Sequence, residues 1–244
     1  MLNQQENNLI NLLGSTKKIL DRHNIEFWLD CGTLLGAIRD GKFIPWEYDI
    51  DLGVWDDEFS RETRISVSRE LFSKGFKVWM DGNHMNIKKE ASFFLDINFY
   101  RAMGNNAIKP TLYPKNLIGK FLCILLPILS APYHCSTSRI KSLIKRFVMR
   151  FLISISKAIP SFLRKRIASI LFALYKKIGS KDVSWKVPSN YFRNLATIKF
   201  YGMEFRVPAK TEEYLSYRYG NDWRISKKDW VTEEDDGAVI KPLS

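Results

Sequence analysis

Apolar and polar positions alternate along this chain with periods that change from segment to segment. Leu9, Ile10, Leu12, Leu13, Ile19 and Leu20 recur at helical spacing and predict an amphipathic helix over 5–23. Ile25 to Leu29, short, β-branched and aromatic, predicts a strand. The run DCGTLLGAIRDG reads as a turn feeding a short helix that Gly41 stops. A strand follows at about 48–54, then a helix over 57–74 ending at Gly75, with strands at Phe76–Met80 and Phe93–Phe99. Residues 101–115 hold Gly104, two asparagines and two prolines and read as loop. Two amphipathic helices are predicted over 139–157 and 162–178. LATIKFYGMEFRVP predicts a hairpin turning at Tyr201-Gly202, and Thr211 caps a helix ending at Gly220.

The acidic strand changes the picture. In FIPWEYDIDLG, side chains alternate faces, so Glu47, Asp49 and Asp51 share one side and Tyr48, Ile50 and Leu52 the other. No Lys or Arg between Phe43 and Gly53 neutralises the three acids. A cation between Asp49 and Asp51 would relieve their repulsion, and paired aspartates are hard oxygen ligands suited to Mg²⁺. A third carboxylate, Asp96, lies in the apolar strand SFFLDINFY on one face with Asn98. A solvated strand edge, with Asp96 in a salt bridge, explains the same pattern. Upstream, Gly32 and Thr33 open a helix after a strand, an arrangement that suits an anionic phosphate. A structural helix start would look alike. Arg39 and Lys42 add positive charge nearby, as does Lys88 further on, though an exposed strand lysine is the simpler reading of Lys88. His84 reads as a loop residue, and three scattered histidines give no metal-ligand spacing.

Taken whole, WLDCGTLLGAIRDGKFIPWEYDIDLG resembles the signature of the LicD and fukutin-related family of phosphotransferases, within the nucleotidyltransferase-fold superfamily. The shared features are the Gly-Thr-Leu-Leu-Gly turn, the Arg after it, and an Ile-Pro-Trp before an Asp-x-Asp-like strand whose first acid is here Glu47. The tail FYGMEFRVPAKTEEYLSYRYGNDW is similar to the family's C-terminal stretch. The resemblance covers about 1–100 and 185–230. It implies transfer of a phospho-alcohol (phosphocholine, phosphoglycerol or phosphoribitol) from a CDP-alcohol donor to a hydroxyl of a cell-surface glycan or lipid-linked saccharide, with CMP released. It further implies Mg²⁺ (or Mn²⁺) on Asp49, Asp51 and Asp96, with Asp96 completing the metal site or accepting the hydroxyl proton. Donor phosphate would lie on Gly32 and Thr33, with Arg39 and Lys42 near it.

Charge adds a second theme. Of 244 residues, the stretch from Ile97 to Lys181 holds 16 Lys and Arg and no Asp or Glu, while the rest has 22 basic against 26 acidic residues. A mildly acidic body therefore carries one basic segment, which points to a polyanionic partner. Its Lys and Arg interleave with long aliphatic stripes rather than aromatic stacking positions, which favours an anionic membrane surface over nucleic acid. The apolar run 117–133 is short and broken by Lys120, Pro127 and Pro132, so an interfacial or re-entrant element is expected rather than a span. The start MLNQQENNLINLLG lacks the features of a signal peptide, and Cys31, Cys123 and Cys135 form no disulfide framework; a cytoplasmic protein, peripheral on the inner face of the membrane, is expected.

The expected fold is α/β (α+β), a nucleotidyltransferase-like mixed sheet flanked by helices with a basic amphipathic helical insertion. The divisions are 1–114, catalytic core; 115–181, membrane-associating insertion; and 182–244, the C-terminal part of the catalytic domain. Two other functions compete. A true nucleotidyltransferase would leave the nucleotide on a small acceptor, and a non-enzymatic protein would only bind the membrane surface.

Overall fold

The computed structural model describes residues 4–47, 49–80, 84–89, 93–130 and 143–240. In chain order the elements begin with α1 (Gln4–Arg22), β1 (Trp28–Leu29), α2 (Cys31–Arg39), β2 (Asp49–Trp55) and α3 (Arg61–Ser73). Then come β3 (Lys77–Met80), β4 (His84–Lys88), β5 (Phe94–Met103) and β6 (Asn106–Pro114). Three helices follow: α4 (Leu117–Ser130), α5 (Leu143–Ala158) and α6 (Ser161–Leu174), the last continued by a π-helical turn, Tyr175–Gly179. The chain closes with β7 (Ser180–Pro188), α7 (Asn190–Arg193), β8 (Leu195–Phe200), β9 (Met203–Pro208), α8 (Thr211–Tyr219), α9 (Thr232–Asp235) and β10 (Val239–Ile240).

Contacts divide the chain into two compact units, 1–110 with 184–241 and 111–183 with 242–244. The strands run in the order β10-β7-β6-β5-β2-β1-β9-β8, with β4 also on β5 and β3 on β4. β2 is parallel to β5 and β1 to β9, while β1–β2, β4–β5 and β8–β9 are antiparallel. The mixed α/β architecture read from the sequence is thus the one observed. Its register follows from the alternation: Ile50, Leu52 and Val54 of β2 are fully buried, and Leu95 and Ile97 of β5 match them. Trp28 lies at the centre of this core, stacked on Phe192 with ring centroids 4.5 Å apart. Residues on either side of the sequence gap left by the helical unit thereby share one core.

Several local expectations hold with their reasons visible. Ser60 caps α3 by accepting from the Thr63 N–H at 3.2 Å. The β8–β9 hairpin turns on Tyr201 and Gly202, both with positive φ, the pair of values a type I′ turn requires. Others are corrected. Residues 101–115 are not loop: β5 runs on to Met103, turns at Gly104-Asn105 and returns as β6. His84 lies in β4 rather than a loop, and Lys88 in the same strand is buried rather than exposed. Thr211 is the first helical residue of α8; Lys210 is the N-cap residue, and the Thr211 hydroxyl donates to the Pro208 carbonyl.

In the helical unit, α4 opens on Asn116, whose side chain accepts from the Gly119 N–H at 2.7 Å and donates to the Ile178 carbonyl at 2.7 Å. Ser156 of α5 donates to the Ile128 carbonyl of α4 at 2.7 Å, and Arg164 of α6 donates to the Ser156 carbonyl at 3.1 Å. The expected helix start at 139–142 lies outside the described residues. Among the described residues no helix is long and apolar enough to cross a membrane.

Candidate active site

The site is built where the β1–α2 turn meets β2. Cys31 takes a left-handed backbone (φ +47°), turning the chain sharply from strand to helix. Two bonds stitch that turn to Asp51: the Asp30 N–H donates to the Asp51 carbonyl at 3.1 Å, and the Asp51 N–H donates to the Thr33 hydroxyl at 2.9 Å. Thr33 is therefore buried and fixed on the acidic strand. Gly32 has the carboxyl of Glu47 directly over it, so a Cβ there would meet the Glu47 carboxyl carbon at 2.6 Å. The sequence run from Gly32 to Asp51 is thus folded back on itself at the start of α2.

Asp49 and Asp51 both lie on β2, two residues apart and half-buried. Burial, then the charge of Asp49, pushes the Asp51 carboxyl up to about 7, against the opposing pull of Lys109 and a hydrogen bond from Asn98. Burial, then Asp51 and Asp49, pushes Glu47 up to about 8, with Arg39 opposing. The nearby cations do not answer the acids in full. Asp96 lies on β5 in parallel register with Asp51, which places both side chains on one face of the sheet. Asn98, two residues on, donates its amide to Asp51 at 3.1 Å. Arg39 reaches Glu47 electrostatically but forks onto Asp40 at 2.9 and 2.7 Å, and Lys42 is exposed in the turn after α2.

A divalent cation suits this donor set. Two aspartates at i, i+2 present hard oxygens, and the protein leaves the charge of Asp51 partly uncompensated. Among the described residues, no group of three or more His, Cys, Asp and Glu is gathered so as to hold an ion. A divalent ion would rest on the Asp pair and complete its shell from elsewhere, as Mg²⁺ does when it takes phosphate oxygens.

Several residues of the site were not singled out in the sequence. Lys109 of β6 is buried; its ammonium donates to the Asn98 side-chain oxygen at 3.3 Å and lies 4.7 Å from the Trp185 ring centroid. Asp30, fully buried, accepts from Tyr100 at 2.7 Å, from Tyr214 at 2.9 Å and from Arg218 at 3.4 Å. Arg218, also buried, pairs with Asp236 through two of its nitrogens and donates to the Cys31 thiol at 3.2 Å. This network ties α8 and the tail to the first residue of α2. Its sequence signal was a charged residue inside an apolar helix face, a weak sign without its distant partners.

Residues 24–119 match the family described as LicD/FKTN/FKRP, nucleotidyltransferase domain. The chain is 24% identical over 248 aligned positions to the lipopolysaccharide cholinephosphotransferase LicD of Haemophilus influenzae, covering 92% of each. It is 27% identical over 96 residues to human ribitol 5-phosphate transferase FKRP, covering 37% of this chain and 19% of that protein. Of the human relative the match thus spans about a fifth. The crystal structure of ANT(2″)-Ia with adenylyl-2″-tobramycin overlaps 69% of this chain and 99% of its own, at 13% identity and a TM-score of 0.32.

Proposed function

We propose, from the match of residues 24–119 to the LicD/FKTN/FKRP nucleotidyltransferase domain, a transferase that moves a phospho-alcohol from a CDP-activated donor to a glycan hydroxyl, releasing CMP. The observation that carries this reading is the placement of Asp49 and Asp51 two residues apart on β2 against the start of α2, with the charge of Asp51 partly unanswered. The named relatives support it, since one is a cholinephosphotransferase and another a ribitol 5-phosphate transferase.

Asp49 and Asp51 would hold Mg²⁺ or Mn²⁺, which supplies charge neutralisation at the phosphoryl oxygens and their orientation. The chain's own residues do the rest. Transfer at phosphorus asks chiefly for positioning and charge stabilisation. Thr33 fixes the backbone of Asp51, and Lys109 with Asn98 steadies its carboxylate. Gly32 keeps the approach to the N-terminus of α2 small enough for an anionic group once Glu47 gives way. Asp96, one strand over on the same face, accepts the proton of the attacking hydroxyl.

The helical unit would bring the enzyme to its acceptor. Leu117, Phe147, Phe151 and Phe162 are 83%, 74%, 59% and 74% exposed, on helices whose surroundings carry Lys and Arg without an acid. Apolar insertion together with attraction to anionic lipid fits peripheral attachment to the cytoplasmic membrane face, where a lipid-linked saccharide would be at hand. The product distinguishes this reading from nucleotide transfer. An acceptor gaining the mass of a phospho-alcohol, with CMP released, is the expected result. An acceptor gaining a nucleotide, with pyrophosphate released, would overturn it.

A further inference from the structure

The polar face of the sheet continues past Asp96, away from the acidic strand. β4 lies antiparallel beside β5 and sets Asn86 directly opposite Asp96, and β3 sets Trp79 opposite Asn86. Asp96 is in turn in register with Asp51, so one row crosses four strands: Asp51, Asp96, Asn86 and Trp79. Residues in register turn their side chains to the same face. Met85 and Ile87, fully buried, hold the other face of β4 against the core. Neighbouring strands lie about 4.8 Å apart, so Trp79 stands roughly 10 Å from Asp96. The reaction as proposed ends at Asp96 and leaves β3 and β4 unused.

Asn86 is the unusual member of the row. Its amide nitrogen is buried and donates to no group among the described residues, although the residue as a whole is only half-buried. A buried donor without an acceptor costs stability, and in folded proteins such groups are nearly always satisfied. Strand pairing and packing need no amide here, since an apolar side chain of the same shape would serve both. The orphaned donor therefore points to an oxygen that arrives with a ligand. Rotation about the last side-chain bond of Asn is soft, so the amide can turn toward that oxygen at small cost.

Three neighbouring side chains select the ligand: a half-buried indole, an amide and a carboxylate. A quaternary ammonium would suit an aromatic face beside a carboxylate, but it has no oxygen for the Asn86 amide. A phosphate would bring oxygens and set its charge against Asp96 and Asp51. Lys88 has its ammonium 5.7 Å from the centroid of Phe94, the register partner of Asp49, so that cation belongs to the row of Asp49 rather than to this one. A sugar ring answers all three groups. Its C–H face lies on the indole, one oxygen accepts from the amide, and an adjoining hydroxyl is left for the carboxylate.

We propose that Trp79 and Asn86 form the seat of the acceptor's sugar ring beside Asp96, and that the ring bound there is a neutral pyranose. The inference rests on the reading of Asp96 as proton acceptor and adds which strands hold the acceptor. In the step it serves, the hydroxyl nearest Asp96 gives its proton to that carboxylate and its oxygen bonds to phosphorus. The bond from phosphorus to the CMP oxygen breaks, and CMP leaves with the electron pair. The acceptor thus reaches Asp51 along the sheet, from the side of β3.

The test is saturation-transfer NMR on the full chain. The probes are the methyl glycosides of glucose, galactose, N-acetylglucosamine and N-acetylgalactosamine, with CMP as a control ligand. At least one glycoside should show saturation transfer. Asn86→Leu and Trp79→Leu should each weaken its binding at least about five-fold and leave CMP affinity unchanged, while Trp79→Phe keeps most of the binding. Asn86→Leu should melt no lower than wild type, because it removes an unsatisfied donor, whereas loss of a structural asparagine would lower the melting temperature. In transfer assays both Leu variants should raise the acceptor KM at least about five-fold at unchanged donor KM. No saturation transfer from any glycoside, undiminished binding in both Leu variants, or a loss of CMP affinity in them would overturn the proposal. Glycoside binding that both variants weaken, with no phospho-alcohol transferred, would leave the seat standing and remove the proposed function. CMP release from a CDP-alcohol with the acceptor KM unchanged in both variants would do the reverse.

Discussion

The carboxyl of Glu47 lies over Gly32, close enough that a Cβ on Gly32 would meet its carboxyl carbon at 2.6 Å. The position where α2 offers its N-terminus is thus covered by an acid that Asp49 and Asp51 already repel. Glu47 is the flexible partner, so Gly32→Ala should displace it without unfolding the chain. We expect a melting temperature within a few degrees of wild type but a donor affinity reduced about ten-fold. In a Glu47→Ala background the same substitution should cost less than half as much. A purely additive double-mutant cycle would show that the two residues are not coupled.

Lys109 is the buried cation that answers Asp51, directly through charge and through Asn98. Lys109→Met keeps much of the side-chain volume and removes the charge. Turnover should fall at least about ten-fold while the circular dichroism spectrum is retained. Unchanged turnover would make Lys109 a packing residue.

Arg218 joins two buried carboxylates, Asp30 and Asp236. Removing it leaves both without their shared partner, a change that costs about 3–5 kcal/mol. Arg218→Met should therefore lower the melting temperature by roughly 10 °C, given about 2–4 °C per kcal/mol in a chain this long. Arg218→Lys should not rescue it, because one ammonium cannot fork across both acids. Differential scanning calorimetry decides.

The same network sets an acid limit. Burial alone would raise the Asp30 carboxyl, but Arg218, Lys109 and the hydroxyls of Tyr100 and Tyr214 outweigh it and hold it below the usual carboxylate range. A carboxylate depressed on folding contributes stability that is present above its unfolded value and is lost as pH falls through its folded one. Wild type should lose stability steeply below about pH 4. Asp30→Asn should be less stable at pH 7, and its melting temperature should fall less between pH 5 and 3. A parallel fall in both proteins would remove Asp30 from the acid limit.

What could be read from the chain beforehand divides along physical lines. α1, the Tyr201-Gly202 hairpin and the acidic strand are local patterns, and each formed where periodicity and turn chemistry placed it. β6 was hidden because Gly, Asn and Pro dominate 101–115, although Gly104-Asn105 is itself a two-residue hairpin signal, with Gly104 at φ +58°. Lys109, Arg218 and Asp236 become part of the site only through the sheet order and the return of the tail beside β7, which no local window records. Lys88 reads from the sequence as an exposed strand lysine, but β4 pairs with β3 on one side and β5 on the other and the side chain is buried, a sheet-level fact that no local window records.

Membrane attachment can be examined apart from catalysis. Phe147 and Phe151 are exposed on α5, so Phe147→Ser/Phe151→Ser should leave the fold and the turnover on a soluble acceptor unchanged. Co-sedimentation with phosphatidylserine vesicles at low salt should retain wild type and lose most of the double variant. Wild type left in the supernatant would end the membrane reading.

The most direct test of the central claim is CMP release from a panel of CDP-alcohols, with a glycan acceptor and Mg²⁺, by wild type, Asp49→Asn and Asp51→Asn. Wild type should release CMP from at least one donor, and only with a divalent cation present. Each variant should lose at least about a thousand-fold in turnover while melting at or slightly above the wild-type temperature, since burial and then the charge of Asp49 raise Asp51, and neutralising one acid relieves part of that cost. Near-wild-type turnover of either variant at limiting Mg²⁺, or CMP release by wild type in EDTA, would contradict the account.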